Sequence, residues 1–292
     1  MAPPAGTIGR QPTVRERRIV SGEETRGSSE VRGSALVTGA ARGIGLTISM
    51  ALAAAGFSVH AVDRDGAALE EARREIGAGG GRCETYVCDI VDPEQVERTV
   101  GRVADSAGRI DLLVNNAGTY HVDDLMELSF ETWRRVLSVN ADGTFLVGQA
   151  TARRMVDQPV HEELGRRGMV INIGSVAAQG GRPNRSAYGA SKALVRHLTM
   201  SQALAWREHD VAACLVCPGE VLEGMLRNIY DGLERVSGVA ADELIESARL
   251  SLPRQRFQTT DEVAQRIVFL ATSTGMQHSG SVLWCDSRIE PL

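Results

Sequence analysis

The chain has 292 residues, 43% of them hydrophobic and 24% charged, which suits one large α/β domain with a buried core. Its net charge of -5 provides no basic surface for a phosphate backbone, so we expect no nucleic acid partner. No apolar run reaches the roughly 20 residues that span a bilayer, and no signal-peptide core precedes the domain. We therefore expect a cytoplasmic protein without a membrane partner.

Residues 1–33 contain three prolines, mixed charges and no sustained apolar period, and we predict that they form a flexible N-terminal arm. Residues 34–292 are predicted to form one domain. In it, short apolar runs alternate with amphipathic stretches such as 69–76 and 94–107, which is typical of βαβ units. The strand candidates are 35–38, 57–62, 83–88, 112–114, 169–173, 211–216 and 281–284. They predict a doubly wound Rossmann-type α/β fold with a seven-stranded parallel sheet and helices on both faces.

The first predicted strand runs into a glycine-rich turn that opens a helix. Glycines let the backbone approach a pyrophosphate, which the free N–H groups at the helix N-terminus then hold. Alone such a turn is weak evidence, because many strand-to-helix turns need glycine. Here a predicted strand precedes the turn and a predicted helix follows it, which is the order that a dinucleotide site requires. The residues predicted to contact the cofactor in this turn are Thr38, Gly39, Arg42, Gly43, Ile44 and Gly45.

The second predicted strand ends at Asp63, where a dinucleotide fold places the carboxylate that takes the ribose hydroxyls. Its charge would repel the 2′-phosphate of NADP. Arg42 and Arg64 could pair with that phosphate and favour NADP instead. Because the carboxylate faces the ribose directly, we predict NAD as the cofactor.

Tyr188 and Lys192 stand four residues apart, and therefore on one face of a helix. Hydride transfer to or from an alcohol needs a group that accepts or returns the hydroxyl proton. A tyrosine can do this if a nearby positive charge favours its phenolate. Lys192 is the only lysine among the 32 basic residues of the chain. This suggests that the position needs the compact ammonium of lysine and not a planar guanidinium.

Ser175 ends the fifth predicted strand thirteen residues before Tyr188, so a short loop can bring its hydroxyl beside the phenol. There it could donate a hydrogen bond to the substrate oxygen. A strand-end serine is otherwise most often a turn residue. No Gly-x-Ser-x-Gly motif accompanies it, so a hydrolase is not indicated.

The glycine spacing, Asn115-Asn116-Ala117-Gly118 and Tyr188-Gly189-Ala190-Ser191-Lys192 together resemble the short-chain dehydrogenase/reductase family. The resemblance implies that Asn140 holds a water in a proton relay. It also implies a homo-oligomer, dimer or tetramer, formed through about 123–156 and 186–207. Further cofactor contacts implied by the resemblance are Asp89 at the adenine, Asn116, Ala117 and Gly118 at the ribose, and Pro218, Gly219 and Val221 at the nicotinamide.

Two positions depart from the family pattern. Glu223 stands where the family commonly has a threonine, and the last strand is followed by Cys285-Asp286-Ser287-Arg288 instead of Asp-Gly-Gly.

The Cys214-x-x-Cys217 pair lies within a predicted buried strand, and no second pair stands at metal spacing. We therefore predict no metal and no disulfide framework.

The main hypothesis is an NAD(H)-dependent oxidoreductase that moves a hydride between nicotinamide and a secondary alcohol or ketone. One alternative is an NADPH-dependent ketoreductase of acyl or polyketide substrates. Another is a dinucleotide-binding regulator without turnover, although a binder gains little from an activated phenol.

By position in the family pattern, residues 220–250 are predicted to form a mobile loop and helix pair over the substrate. The candidate substrate contacts are Gln179, Arg182, Glu220 and Glu223. Unpaired polar groups at the mouth would disfavour an apolar substrate by roughly 1–3 kcal/mol each, so they favour a polar, hydroxyl-bearing one. They could equally be loop side chains that face water.

Overall fold

A computed structural model of the protein describes residues 32–181, 183–221 and 225–285. Most of the predicted N-terminal arm, residues 1–31, lies outside the described residues. So do Arg182, Glu223 and the C-terminal residues 286–292.

Seven parallel strands form one sheet in the order β3-β2-β1-β4-β5-β6-β7. Every predicted strand is present, with ends that differ from the prediction by two residues at most. The first four are β1 Gly33–Thr38, β2 Phe57–Asp63, β3 Cys83–Val87 and β4 Leu112–Asn115, and the last three are β5 Gly168–Ile173, β6 Val211–Cys217 and β7 Val282–Trp284. The chain builds outward from β1 to β3 and then returns to place β4 on the other side of β1. This reversal opens a crevice at the carboxyl ends of β1 and β4, where such sheets bind ligands.

Helices cover both faces of the sheet, as predicted. They are α1 Gly43–Ala54, α2 Gly66–Ala78, α3 Pro93–Ala107, α4 Phe130–Leu137, α5 Gly143–Asp157, α6 Ser186–Ala205, α7 Met225–Ser237, α8 Ala241–Ser251 and α9 Thr260–Thr272. Helices α1 and α9 pack with one face of the strands, and α3, α5 and α6 contribute to the core on the other. Strands buried on both faces are nearly all apolar, which explains the continuous hydrophobic runs of the sequence.

The cysteines of the predicted CxxC motif, Cys214 and Cys217, both lie in β6 and are fully buried. All five cysteines are free thiols. Among the described residues there is no helix long and apolar enough to cross a bilayer, and no group of side chains arranged to hold a metal ion.

A buried polar cluster joins β4 and β5 to helix α6. Asn172 on β5 accepts a hydrogen bond from the Asn115 side chain (2.9 Å) and donates to Thr199 Oγ1 and Gln202 Oε1 (2.8 Å each). Thr199 and Asn172 are completely buried. The cluster therefore fixes α6 against β5, the strand that leads to Ser175, because buried polar groups cost folding free energy when their hydrogen-bond partners are misplaced.

We predict that Asn172→Leu lowers the free energy of unfolding by about 1–3 kcal/mol, because it leaves buried partners on Asn115, Thr199 and Gln202 without their hydrogen bonds. Urea denaturation measures this. Arg153→Gln, which breaks an exposed ion pair with Glu97, is the control and should change stability by less than about 0.5 kcal/mol. Equal, small effects of both variants would contradict the role given to the cluster.

Candidate active site and cofactor cleft

The turn after β1 has room for glycine alone at its closest point. A Cβ on Gly45 would lie 2.0 Å from the carbonyl oxygen of Gly39, and Gly39 has a φ of +64°. Helix α1 then begins with no side chain capping its N-terminus. The turn therefore brings free N–H groups close to any group in the crevice, an arrangement that suits a phosphate.

The end of β4 holds this turn in place. Asn116 Nδ2 donates to the carbonyl oxygens of Thr38 and Gly39 (3.0 and 3.1 Å), and Thr38 Oγ1 accepts the N–H groups of Asn116 and Ala117 (3.1 Å each). Asn116 and Ala117, predicted to lie at the ribose, thus also lock the two halves of the crevice together. Their contact with a cofactor stays a prediction.

Two carboxylates lie at the end of β2, where the sequence predicted one. Asp63 accepts the N–H groups of Asp65 (3.1 Å) and Ala41 (3.4 Å). Asp65 caps helix α2 through the N–H of Ala68 and forms a 2.5 Å ion pair with Arg42. The hydrogen bond from the Ala68 N–H holds the pKa of Asp65 below its usual value, desolvation opposes it, and Arg42 lowers the pKa further.

This ion pair bears on one alternative that the sequence left open, in which Arg42 could pair with a 2′-phosphate. In the structure the Arg42 guanidinium is paired with Asp65. Arg64 is exposed. The signal for Asp65 was present in the sequence, since an aspartate directly before a predicted helix is a typical N-cap.

Asp89 follows β3, next to Asp63. The backbone N–H of Cys88 donates to the Asp63 carbonyl, and the Asp89 carboxylate accepts the N–H of Val91 at 3.2 Å. Asp89 is partly exposed at the crevice edge, a position compatible with its predicted place at the adenine.

Helix α6 and strand β5 bring together the three residues predicted to act on the substrate. Tyr188 and Lys192 share one face of α6, with Lys192 Nζ 5.8 Å from the centre of the Tyr188 ring. The Ser175 side chain is hydrogen-bonded to the Tyr188 phenol and also accepts the N–H of Ala177 at 3.1 Å. Lys192 Nζ donates to the Ile173 carbonyl at 2.8 Å, which joins the helix to the end of β5.

The pKa of Tyr188 departs from the expected direction. Burial raises the pKa of its phenol, while the Ser175 hydrogen bond and the charge of Arg185 act in the opposite direction. Burial also lowers the pKa of Lys192 to about 8. The effect of burial on the pKa of Tyr188 therefore outweighs the lowering that was predicted from Lys192. The phenol keeps its proton at neutral pH.

Asn140 lies in a single π-helical turn, Ser138–Asp142, between α4 and α5. Both of its N–H donors are used, by the Thr119 carbonyl (2.8 Å) and Ser191 Oγ (2.9 Å), and its Oδ1 accepts the N–H of Thr119 at 2.7 Å. The side chain thus clamps the segment after β4 against α6. Gly118 lies beside it, since a Cβ there would be 3.2 Å from Asn140 Oδ1 and 3.7 Å from Lys192 Nζ. A water held by Asn140 stays a prediction.

The segment after β6 is held by a residue that the sequence did not reveal. The Pro218 carbonyl accepts the N–H of Val176, which places this segment beside Ser175. Gln258 Oε1 accepts the N–H of Gly219 at 2.9 Å, and the Gln258 N–H donates to the Glu220 carbonyl. Gln258 belongs to no motif. Its only signal is its place just before the Thr259–Glu262 capping box that starts α9.

Two helices, α7 and α8, occupy most of the predicted substrate segment, 220–250. They form a small core of their own around Leu226, Ile229 and Tyr230, which packs against Val122. The Glu220 carboxylate accepts the Tyr230 hydroxyl at 3.1 Å. Val221 is buried and pairs with Gln258. Gln179 is exposed, and its contact with a substrate stays a prediction.

Comparison with known proteins places this geometry in a family. The model of the short chain dehydrogenase family matches residues 34–234. This chain belongs to the short chain dehydrogenase family. The dehydrogenase fold and the oxidoreductase class expected from the sequence are thereby confirmed.

Individual relatives of this dehydrogenase differ in what they act on. This chain is 32% identical over 250 residues to gluconate 5-dehydrogenase of Gluconobacter oxydans, and the match covers 86% of this chain and 91% of that protein. The solved structure of NAD+-bound xylitol dehydrogenase matches with a TM-score of 0.82 at 28% identity, covering 88% of this chain and 98% of that chain. A mutant actinorhodin polyketide ketoreductase with NADPH matches with a TM-score of 0.80 at 28% identity. This match covers 86% of this chain and 95% of that chain.

The burial of Lys192 predicts a pH-dependent stability. Its pKa is lowered from 10.5 to about 8, so below pH 8 the folded protein bears the cost of a desolvated ammonium. As the pH rises from about 8 towards 10.5, the folded state releases this proton before the unfolded state does, and stability rises. Lys192→Met removes this contribution. The free energy of unfolding of the variant minus that of the wild type should therefore fall over this pH range.

Urea denaturation at several pH values measures the difference. Ala193→Met, an exposed position on the same helix, is the control and should give a difference that does not change with pH. A pH-independent difference for Lys192→Met as well would show that Lys192 is not desolvated.

Proposed function

We propose that this dehydrogenase oxidises and reduces secondary alcohols and ketones with NAD(H), and that its substrates are polar and carry several hydroxyl groups. The observation that carries the cofactor assignment is the pair of carboxylates at the end of β2. The Asp63 carboxylate accepts the N–H of Ala41 in the glycine turn, and Asp65 forms an ion pair with Arg42 in the same turn. A 2′-phosphate at the end of β2 would be repelled by both carboxylates, and Arg42 would not be free to bind it.

The crevice fits a dinucleotide on the residues present. The contact between Gly39 and Gly45 leaves no room for any Cβ, and the N-terminus of α1 has no side-chain cap. Gly39, Gly43, Ile44 and Gly45 would hold the pyrophosphate, Asp63 the adenosine ribose, and Pro218 to Val221 the nicotinamide side. When bound, the nicotinamide supplies the hydride acceptor or donor.

Tyr188 transfers the proton in the proposed reaction, and Ser175 binds the substrate oxygen. Because burial raises the pKa of Tyr188, its phenol is protonated at neutral pH and can give that proton to a ketone oxygen. Ser175 lies beside the same phenol, and its single O–H would turn from Tyr188 to the substrate oxygen where negative charge develops. For oxidation, Tyr188 must first lose its proton, and the Lys192 ammonium stabilises the phenolate that results.

The polyol assignment is supported by likeness to gluconate 5-dehydrogenase and xylitol dehydrogenase. Polar groups border the same mouth, where Glu220 and Tyr230 form a hydrogen bond. The second candidate is an NADPH-dependent ketoreductase, which is favoured by the structural likeness to the actinorhodin enzyme. The two carboxylates at the end of β2 oppose it.

We predict that Tyr188→Phe reduces turnover roughly 10²–10⁴-fold, the usual contribution of a positioned acid or base, while NADH binding stays unchanged. Initial rates and a fluorescence titration with NADH measure the two effects. Tyr86→Phe, on the edge strand β3, is the matched control and should keep full turnover. Turnover of Tyr188→Phe at the wild-type rate would refute the role of this phenol.

Cofactor choice is tested by removing the two charges separately. Asp65→Asn keeps a good N-cap for α2 and frees Arg42, so it should raise the ratio of kcat/KM for NADP+ over NAD+. Asp63→Asn alone should raise this ratio less, because Arg42 stays paired, and the double variant should exceed the product of the single effects. Asp92→Asn, which alters the equivalent cap of α3, is the control and should leave the ratio unchanged.

Adding Arg42→Gln to the Asp65→Asn variant should restore the preference for NAD+. If the wild type prefers NADPH, or if Asp65→Asn leaves the ratio unchanged, the assignment fails and the ketoreductase is favoured.

A further inference from the structure

Arg185 lies at the mouth of the site, immediately before α6. It ends the short helical turn Pro183–Arg185 and precedes Tyr188 by three residues. Side chains three residues apart at a helix start lie on neighbouring positions of one face. The turn also touches the opposite wall, because the N–H of Asp123 donates to the Asn184 carbonyl at 3.2 Å. Arg185 is therefore flanked by the loop after Ser175 and by the segment after β4.

Arg185 is half-buried, and within residues 32–181, 183–221 and 225–285 its guanidinium forms no ion pair or hydrogen bond. By contrast, Arg42 is paired with Asp65, and Arg256 with Glu262. A guanidinium has five N–H donors, and none of those of Arg185 is a buried atom without a partner, so a ligand that enters from water can reach them.

Two carboxylates of the described residues near this mouth have other partners. Asp123 Oδ1 accepts the N–H of Asp124, and its Oδ2 lies 3.4 Å from His121 Nε2. Glu220 accepts the Tyr230 hydroxyl. The positive charge of Arg185 instead acts on Tyr188, where it opposes the effect of burial on the pKa of the phenol. Arg185, three residues before Tyr188, is therefore close enough for its charge to act on this phenol.

We infer that Arg185 binds a carboxylate of the substrate, so that the enzyme acts on polyhydroxy or oxo carboxylic acids in preference to neutral polyols. The planar fork of a guanidinium matches a carboxylate through two parallel hydrogen bonds. Such a contact fixes one end of an open-chain substrate and sets which carbinol carbon reaches Tyr188. This inference rests on the proposed function and adds the substrate class.

D-gluconate and D-glucitol test it directly, since they have the same carbon chain and differ in a carboxylate against a hydroxymethyl group. Arg185→Gln should lower kcat/KM for gluconate about 10- to 100-fold, the range for one charge-assisted contact, and change that for glucitol less than about twofold. Arg207→Gln, an exposed arginine at the other end of α6, is the matched control and should leave both unchanged.

Calorimetric binding in the presence of NADH gives a readout that needs no turnover. Gluconate should bind the wild type more tightly than glucitol does, and this advantage should disappear in Arg185→Gln. Equal losses for both substrates, equal affinities in the wild type, or a preference for glucitol 6-phosphate over gluconate would overturn the inference. If neither substrate is oxidised but gluconate binding still depends on Arg185, the proposed function fails while the carboxylate site stands.

Discussion

The site depends on one close approach at the reversal of the sheet, where the turn after β1 meets the end of β4. Gly45 passes so near the Gly39 carbonyl that a Cβ would lie at 2.0 Å, and Asn116 bonds both carbonyls of that turn. This contact fixes the direction of α1, and with it the N–H groups that face the crevice. It also fixes the segment after β4, which Asn140 then attaches to α6.

A second constraint is the burial of the Lys192 charge beside Tyr188. Lys192 is 5% exposed, and its pKa falls to about 8. Among the described residues its ammonium donates to the carbonyl of Ile173, the last residue of the strand that precedes Ser175. An arginine could not replace it, because a planar guanidinium with five N–H donors does not fit where one compact ammonium donates to a single carbonyl. A protein that uses arginine at every other basic position therefore retains lysine where its size and its shifted pKa matter.

The sequence predicted the strands, because buried parallel strands are continuous apolar runs. It also predicted that Tyr188 and Lys192 share one face of a helix, because they are four residues apart. It could not predict the Arg42–Asp65 pair, since two exposed side chains 23 residues apart leave no periodic signal. Gln258 and the clamping contacts of Asn140 were missed for the same reason. They join segments that only the folded sheet brings together. The direction of the Tyr188 pKa depends on burial, which no local pattern records.

The most direct test of the account is the initial rate of nicotinamide reduction by the wild-type enzyme, followed by absorbance across a panel of alditols, aldonic acids, cyclic alcohols and long apolar alcohols, with NAD+ and NADP+ in parallel. The account predicts turnover of polyhydroxy substrates with NAD+ and much slower turnover with NADP+. Activity confined to NADP(H) with acyl or long apolar substrates, or no turnover of any alcohol or ketone, would contradict it.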